Sequence, residues 1–235
     1  MTQQYMLLFL VAAALLDSGC TDASSGSDDV ASATPKYDLT VGNYWIYSLK
    51  GYNDQGIVTN SSTVYFTVVR DTFIEDKKWS LLSIDTIPAA SNVSRIAIEQ
   101  HDGYYERVSI DVPRSAHRTD TSMLIYQYPA PTNSFYAVNP RFGSDGGTLY
   151  YDTTRIVARN RQVSVPAGSF RCYQYTTNNN FISRDSHGKE GVFPSGFTNV
   201  FLSDSGMVKI EAYTVYTGQT VLGVSLELLE FKIQK

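Results

Sequence analysis

The sequence predicts an all-β domain, a curved antiparallel meander sheet bent into a half-barrel or open barrel with little helix. Three observations lead there. Tyrosine is abundant, 17 residues, alongside many Thr and Val, and these side chains favour a pleated, half-buried backbone. Apolar and polar residues alternate with period two, and no segment sustains the 3.6 period of a helix. Clusters of Asn, Asp, Gly and Pro interrupt that alternation about every ten to fifteen residues, as successive hairpins require.

The first strand, Tyr44 to Tyr52, sets Trp45, Tyr47 and Leu49 against Ile46 and Ser48, and Asn53-Asp54-Gln55-Gly56 turns it. The return strand carries Val64, Phe66 and Val68 on one face. Glu75-Asp76-Lys77-Lys78 then reverses the chain into a strand from Trp79 to Asp85. Ile96 and Ile98 alternate with Arg95, Ala97 and Glu99, and Asp102-Gly103 reverses the chain into Tyr104 to Ile110. Pro129 to Gly147 is dense in strand-breaking Pro, Gly and Asn and reads as a long excursion. Strands resume at Thr148 to Ala158 and Arg161 to Val165, then at Phe170 to Thr176. Asn178 to Pro194 lacks a periodic apolar face and reads as a mobile loop. The chain closes with Asn199 to Leu202, the turn Ser203-Asp204-Ser205-Gly206, a strand Met207 to Tyr216, the turn Thr217-Gly218 and a strand Val221 to Ile233.

Ahead of this lies Met6 to Leu16, an apolar run too short to span roughly 30 Å of hydrocarbon but long enough for a signal-peptide core. Leu16-Asp17-Ser18-Gly19-Cys20 follows, small residues before a cysteine, and resembles a bacterial lipoprotein signal. No Lys or Arg precedes the apolar run, and Asp17 stands three places before the cysteine. That resemblance implies cleavage after residue 19 and acylation of Cys20, each acyl chain adding about 0.8 kcal/mol of membrane holding per buried methylene. Residues 20–36 are dominated by Ser, Ala, Asp and Thr and form a flexible tether, which leaves 37–235 as a single domain. The net charge of −4 offers neither a basic stripe for nucleic acid nor a polybasic patch for anionic lipid. With Cys20 acylated, Cys172 is the sole remaining thiol, no intramolecular disulfide can form, and a buried, inert Cys172 is expected.

Val165-Pro166-Ala167-Gly168 reads as a turn. Pro166 presets φ for the second residue of a type I turn, Ala167 takes the third, and Gly168 closes a three-residue hairpin with a bulge. Together with Gly42-Asn43-Tyr44-Trp45-Ile46-Tyr47 and Gly206-Met207-Val208-Lys209, the stretch Val163 to Phe170 resembles, in order and over most of Leu39 to Lys235, a broad group of uncharacterised bacterial lipoproteins. Their layout is similar to that of periplasmic lipoprotein carriers and their outer-membrane receptor, and the resemblance implies an incomplete barrel over an apolar cavity.

His101, His117 and His187 lie far apart, with no Cys cluster at metal-ligand spacing, and no Gly-x-Ser-x-Gly elbow occurs, so neither metal nor other cofactor is expected. Glu99, Glu106, Glu211 and Glu227 fall opposite apolar neighbours, as outward charges that keep one face soluble. Tyrosine supplies the candidate site. Tyr126 and Tyr128 share one face, Tyr173 and Tyr175 another, and such rings on a concave sheet offer an apolar body with a polar tip to a hydrophobic or glycan ligand. The expectation is therefore a non-enzymatic lipoprotein anchored in the bacterial outer membrane, on its periplasmic face or at the cell surface, binding such a ligand or an envelope protein. Two other functions fit the same sequence: a hydrolase of cell-wall or surface polymers using Asp145, Asp185 and Glu190 from the long loops, and an assembly accessory without a ligand.

Overall fold

The computed structural model describes residues 39–74, 76–87, 94–101, 104–109, 123–127, 135–142, 149–184, 190–216 and 218–234. Their regular structure is entirely strand. β1 (Tyr44–Tyr52), β2 (Val58–Ile74), β3 (Lys77–Ile87), β4 (Ser94–His101), β5 (Tyr104–Ser109) and β6 (Met123–Gln127) follow one another in one direction. β7 (Phe135–Phe142), β8 (Leu149–Val165), β9 (Gly168–Arg184), β10 (Glu190–Ser203), β11 (Gly206–Tyr216) and β12 (Gln219–Lys232) complete the set. All pair antiparallel in one twelve-stranded sheet of order β6-β5-β4-β3-β2-β1-β12-β11-β10-β9-β8-β7. First and last strands thus pair at its centre, Trp45 against Phe231 and Leu49 against Leu226. The edges β6 and β7 approach within 8 Å between Cα atoms but form no ladder among the described residues, so the curled sheet is an open barrel with its seam in mid-chain.

The inward face is stacked in rows across the ladders. One row runs Ile156, Tyr175, Val200, Ile210, Leu226 and Leu49. Another holds Tyr173, Leu202 and Met207, a further one Leu228, Tyr47 and Val64, and Trp45, Phe66 and Ile84 form the last. Their side chains merge into one core in which Trp45, Tyr47, Phe66, Tyr175 and Ile156 lose all contact with solvent, and Leu39 closes it at the chain's first described residue. The Tyr47 ring meets Phe66 edge-on at 5.2 Å between centroids.

Four expectations need correction. The excursion Pro129 to Gly147 contains a strand, β7, with Pro140 inside it; β7 is a sheet edge, where a missing N–H costs no ladder bond on the outer side. The loop Asn178 to Pro194 is largely ladder as well. β9 continues to Arg184 opposite Glu190, and Pro194 sits at the register shift between Pro194 and Gly196. In addition, Val165 pairs directly with Gly168, so the hairpin loop has two residues rather than three. Proline excludes the positive φ that primed turns demand of the first loop residue, and Gly168 takes up the mismatch with φ of 137°. Ser203-Asp204-Ser205-Gly206 repeats that construction: Ser203 pairs with Gly206, whose φ is 100°.

Strand β8 is continuous where two strands were expected. The break falls at Ala158 to Arg161 as paired register shifts with Asn160 at φ of 58°, and these bend the β8–β9 arm.

Candidate functional site

The barrel differs at its two ends. At the end holding the β8–β9 and β10–β11 turns, the bent arm folds back onto β12, and the Ala167 N–H donates to the Leu228 carbonyl at 3.1 Å. Phe170 reaches Phe231, with 6.1 Å between ring centroids. From β1, the Trp45 indole N–H donates to the Ser205 carbonyl at 2.8 Å and the Tyr47 hydroxyl to the Met207 carbonyl at 3.0 Å. Asn43, fully buried, accepts at Oδ1 from the Gln234 N–H (2.8 Å), while its carbonyl accepts from the Val68 N–H (2.9 Å). The three motifs singled out in the sequence thus converge on one structure: they knot the closed end of the barrel.

Toward the other end the inward face changes chemistry. Above the row of Ile156 and Tyr175 comes a row of Thr154, Thr177, Thr198, Ala212, Val224, Gly51 and Asn60. Small and hydroxylated residues replace bulky apolar ones. Thr154 and Thr177 share a hydrogen bond of 2.9 Å between hydroxyls. Next along, Asn179 lies 5 % exposed opposite Gly196. Across that row exposure rises from β8 toward β2: Thr154 and Thr198 are buried, Ala212, Val224 and Gly51 half-buried and Asn60 exposed. Thr198 stands out, 3 % exposed, with a hydroxyl that finds no hydrogen-bond partner. A buried hydroxyl left unsatisfied costs about 1–3 kcal/mol.

Outside the barrel the same strands carry charge and aromatic side chains. Lys209 bridges Glu211 at 2.9 Å and Glu227 at 3.2 Å. Burial pulls the Lys209 ammonium down, but Glu211 and Glu227 outweigh it and hold it above the ordinary lysine value. Tyr213 donates to Glu211 at 3.2 Å and stacks on Phe197 at 4.5 Å; desolvation and the Glu211 charge raise its phenol. A second small core sits on this face, where Cys172 is fully buried among Val163, Phe201 and Val208, and the Arg161 guanidinium lies 5.5 Å over the Phe201 ring.

The structure describes only some of the residues expected to form the site. Tyr173 and Tyr175 do share a face, but both are buried in the main core and present no ring to a ligand. Tyr126 is on β6 with its side chain outside the described residues, and Tyr128, Cys20, Asp145 and Asp185 lie outside them altogether. Glu190 opens β10 opposite Arg184. Among the described residues no group of His, Cys, Asp and Glu is arranged to hold a metal ion. The threonine row is not legible in the sequence, because threonine in a strand signals only β propensity. Its meaning depends on register, which aligns residues 154, 177 and 198 from three strands.

No protein-family model matches the chain, and no curated protein matches it. Two solved structures resemble it. One is a candidate exported protein with a YmcC-like fold from Bacteroides fragilis, 11 % identical, with a TM-score of 0.50 over 83 % of this chain and 97 % of that one. What the two share is the fold. The other is a candidate lipoprotein from Parabacteroides distasonis, 15 % identical, TM-score 0.49 over 84 % of this chain and 98 % of that one. The YmcC-like likeness agrees with the curled antiparallel sheet described above.

Proposed function

We propose that the chain is an exported envelope protein, lipid-anchored through Cys20, that binds rather than converts its ligand, and that the ligand is a glycan segment held in the open half of the barrel. The export signal and its cysteine support the address, as does the exported character assigned to the YmcC-like structure. The Thr198 hydroxyl carries the ligand assignment: inward-facing, buried and without a partner, beside the Thr154–Thr177 pair. Hydroxyl and amide groups along a row of small side chains match a neutral polyhydroxylated molecule. An acyl chain is a poorer match, because Trp45, Tyr47, Phe66 and Tyr175 already fill the apolar half of the interior.

The test is a glycan array probed with the mature chain, followed by calorimetry on the best oligosaccharide. Thr198→Val keeps the shape and removes the hydroxyl. It should raise stability by about 1 kcal/mol, since an unsatisfied group disappears, while weakening glycan binding at least about tenfold. Absence of any bound glycan, or equal binding by the Val variant, refutes the assignment.

A further inference from the structure

Of the seven large apolar side chains exposed among the described residues, three lie where the chain joins the closed end, including the most exposed of all. Phe73 is 73 % exposed, Val41 44 % and Val69 40 %. Val41 and Val69 are neighbours in the fold, and Phe73 lies further out on the same hairpin. The Gly42 N–H donates to the Val68 carbonyl at 2.8 Å, which sets Val41 beside the Val68–Arg70 register shift where Val69 is the extra residue. β1 begins at Tyr44 opposite Thr67, so from Val68 to Ile74 the β2–β3 hairpin runs on past the start of β1, while β3 is flanked by β4 with Ser80 opposite Ile98. Phe73 lies about 13 Å beyond Val69 along that projection. Lys78 pairs with Asp71 at 2.8 Å and stands opposite Phe73, bracing the hairpin near its tip. At the hairpin's base the Ser80 hydroxyl donates to the Leu39 carbonyl at 3.3 Å. Leu39 is the point from which the chain leads back, through 18 intervening residues, to Cys20.

We propose that this projecting hairpin is the membrane-facing surface of the protein, with Phe73, supported by Val41 and Val69, seated at the boundary of headgroups and acyl chains in the bilayer that holds the anchor. The proposal rests on the lipid-anchored reading above. The 18 residues between Cys20 and Leu39 can span at most about 65 Å whatever their conformation, so the anchor keeps the domain near the bilayer without forcing contact. The exposed ring then decides orientation. Arg70, Lys77 and Lys78 are balanced by Asp71, Glu75 and Asp76, so the attraction is apolar and insensitive to salt. Seated this way, the closed end faces lipid and the open end, with its threonine row, points away from the membrane.

The experiment places the full acylated chain on phosphatidylethanolamine–phosphatidylglycerol vesicles containing brominated lipid. Tryptophan replaces Phe73 in one variant and Ile57, 57 % exposed in the β1–β2 turn at the open end, in another. Emission of the Phe73→Trp variant, after subtraction of the wild-type signal, should be roughly halved by brominated lipid at both low and high salt, and that of the Ile57→Trp variant left unchanged. Equal quenching of the two, or none at Phe73→Trp on vesicle-bound protein, overturns the orientation. Failure of the wild-type chain to float with vesicles counts against acylation at Cys20 instead. The variants are then held by an N-terminal hexahistidine on nickel-chelating lipid and compared in the same way, so the two failures are told apart.

Discussion

At the residue scale the closed end depends on polar atoms that tie aromatic side chains to distant backbone. Tyr47 is the clearest. Its ring is entirely buried and its hydroxyl donates to the Met207 carbonyl across 160 residues of sequence. Burial drives its phenol well above the ordinary 10.0. An unfolded chain releases that proton near pH 10 while the folded one keeps it, so the contribution is complete below pH 10 and is lost as pH rises through the folded value. Lys209, also raised in the folded state, loses its bridges to Glu211 and Glu227 in the same direction above the ordinary 10.5. Urea unfolding should therefore show a stability plateau through neutral pH and a decline above about pH 10. Tyr47→Phe should cost about 1 kcal/mol at pH 7 through the lost hydrogen bond and should make the alkaline decline shallower. A Tyr47→Phe profile parallel to wild type would show that burial of the phenol is not what drives it.

At the element scale, sequence reading found hairpins where turns are chemically marked and missed strands where marking misleads. β1 runs from Tyr44 to Tyr52 as expected, and its turn is held by Asn53 Oδ1, which accepts from the Gln55 and Ile57 N–H groups. β7 was hidden by Pro140 and the far ends of β9 and β10 by consecutive asparagines, because edge position and an inward polar row override local propensity. The motifs near Trp45, Pro166 and Met207 were legible as geometry, yet their convergence was not, since no local rule states which turns share an end. Glycines test this reading of the hairpins. Gly196 has φ of 152°, and a side-chain carbon there would overlap the Tyr213 carbonyl of β11, which cannot withdraw from its ladder. Gly56 and Gly218 also have positive φ but face open space. Gly196→Ala should cost more than about 3 kcal/mol in urea unfolding, whereas Gly56→Ala and Gly218→Ala should each cost about 1 kcal/mol. Similar losses at all three positions would mean that dihedral strain alone, rather than backbone overlap at the β10 bulge, sets the cost.

At the scale of the whole molecule, the order of the sheet separates chain connectivity from spatial continuity. Every neighbouring pair of strands is joined by a consecutive connection except one: β1 and β12 meet only after the entire domain has been traversed. That junction carries eight aligned pairs, from Tyr44 with Lys232 to Gly51 with Val224, and is clamped by the Asn43–Gln234 hydrogen bond. Conversely, among the described residues the one connection that joins strands without a ladder is β6 to β7, across the seam. Closing a loop of domain length must precede most of the core, since Trp45 and Tyr47 reach partners at residues 205 and 207, and such non-local pairing slows folding. A circular permutant removes that obstacle. Joining residue 234 to residue 39 through a short Gly-Ser linker and opening the chain between β6 and β7 turns the sheet into an uninterrupted meander from β7 through β12 and β1 to β6, with every ladder local. Stopped-flow refolding should then be faster than for the domain with its natural ends by roughly tenfold or more, while unfolding stability changes by no more than about 1–2 kcal/mol. Refolding slower than the natural order would show that β1–β12 pairing is not the limiting contact, and that the barrel instead nucleates within the hairpins flanking the seam.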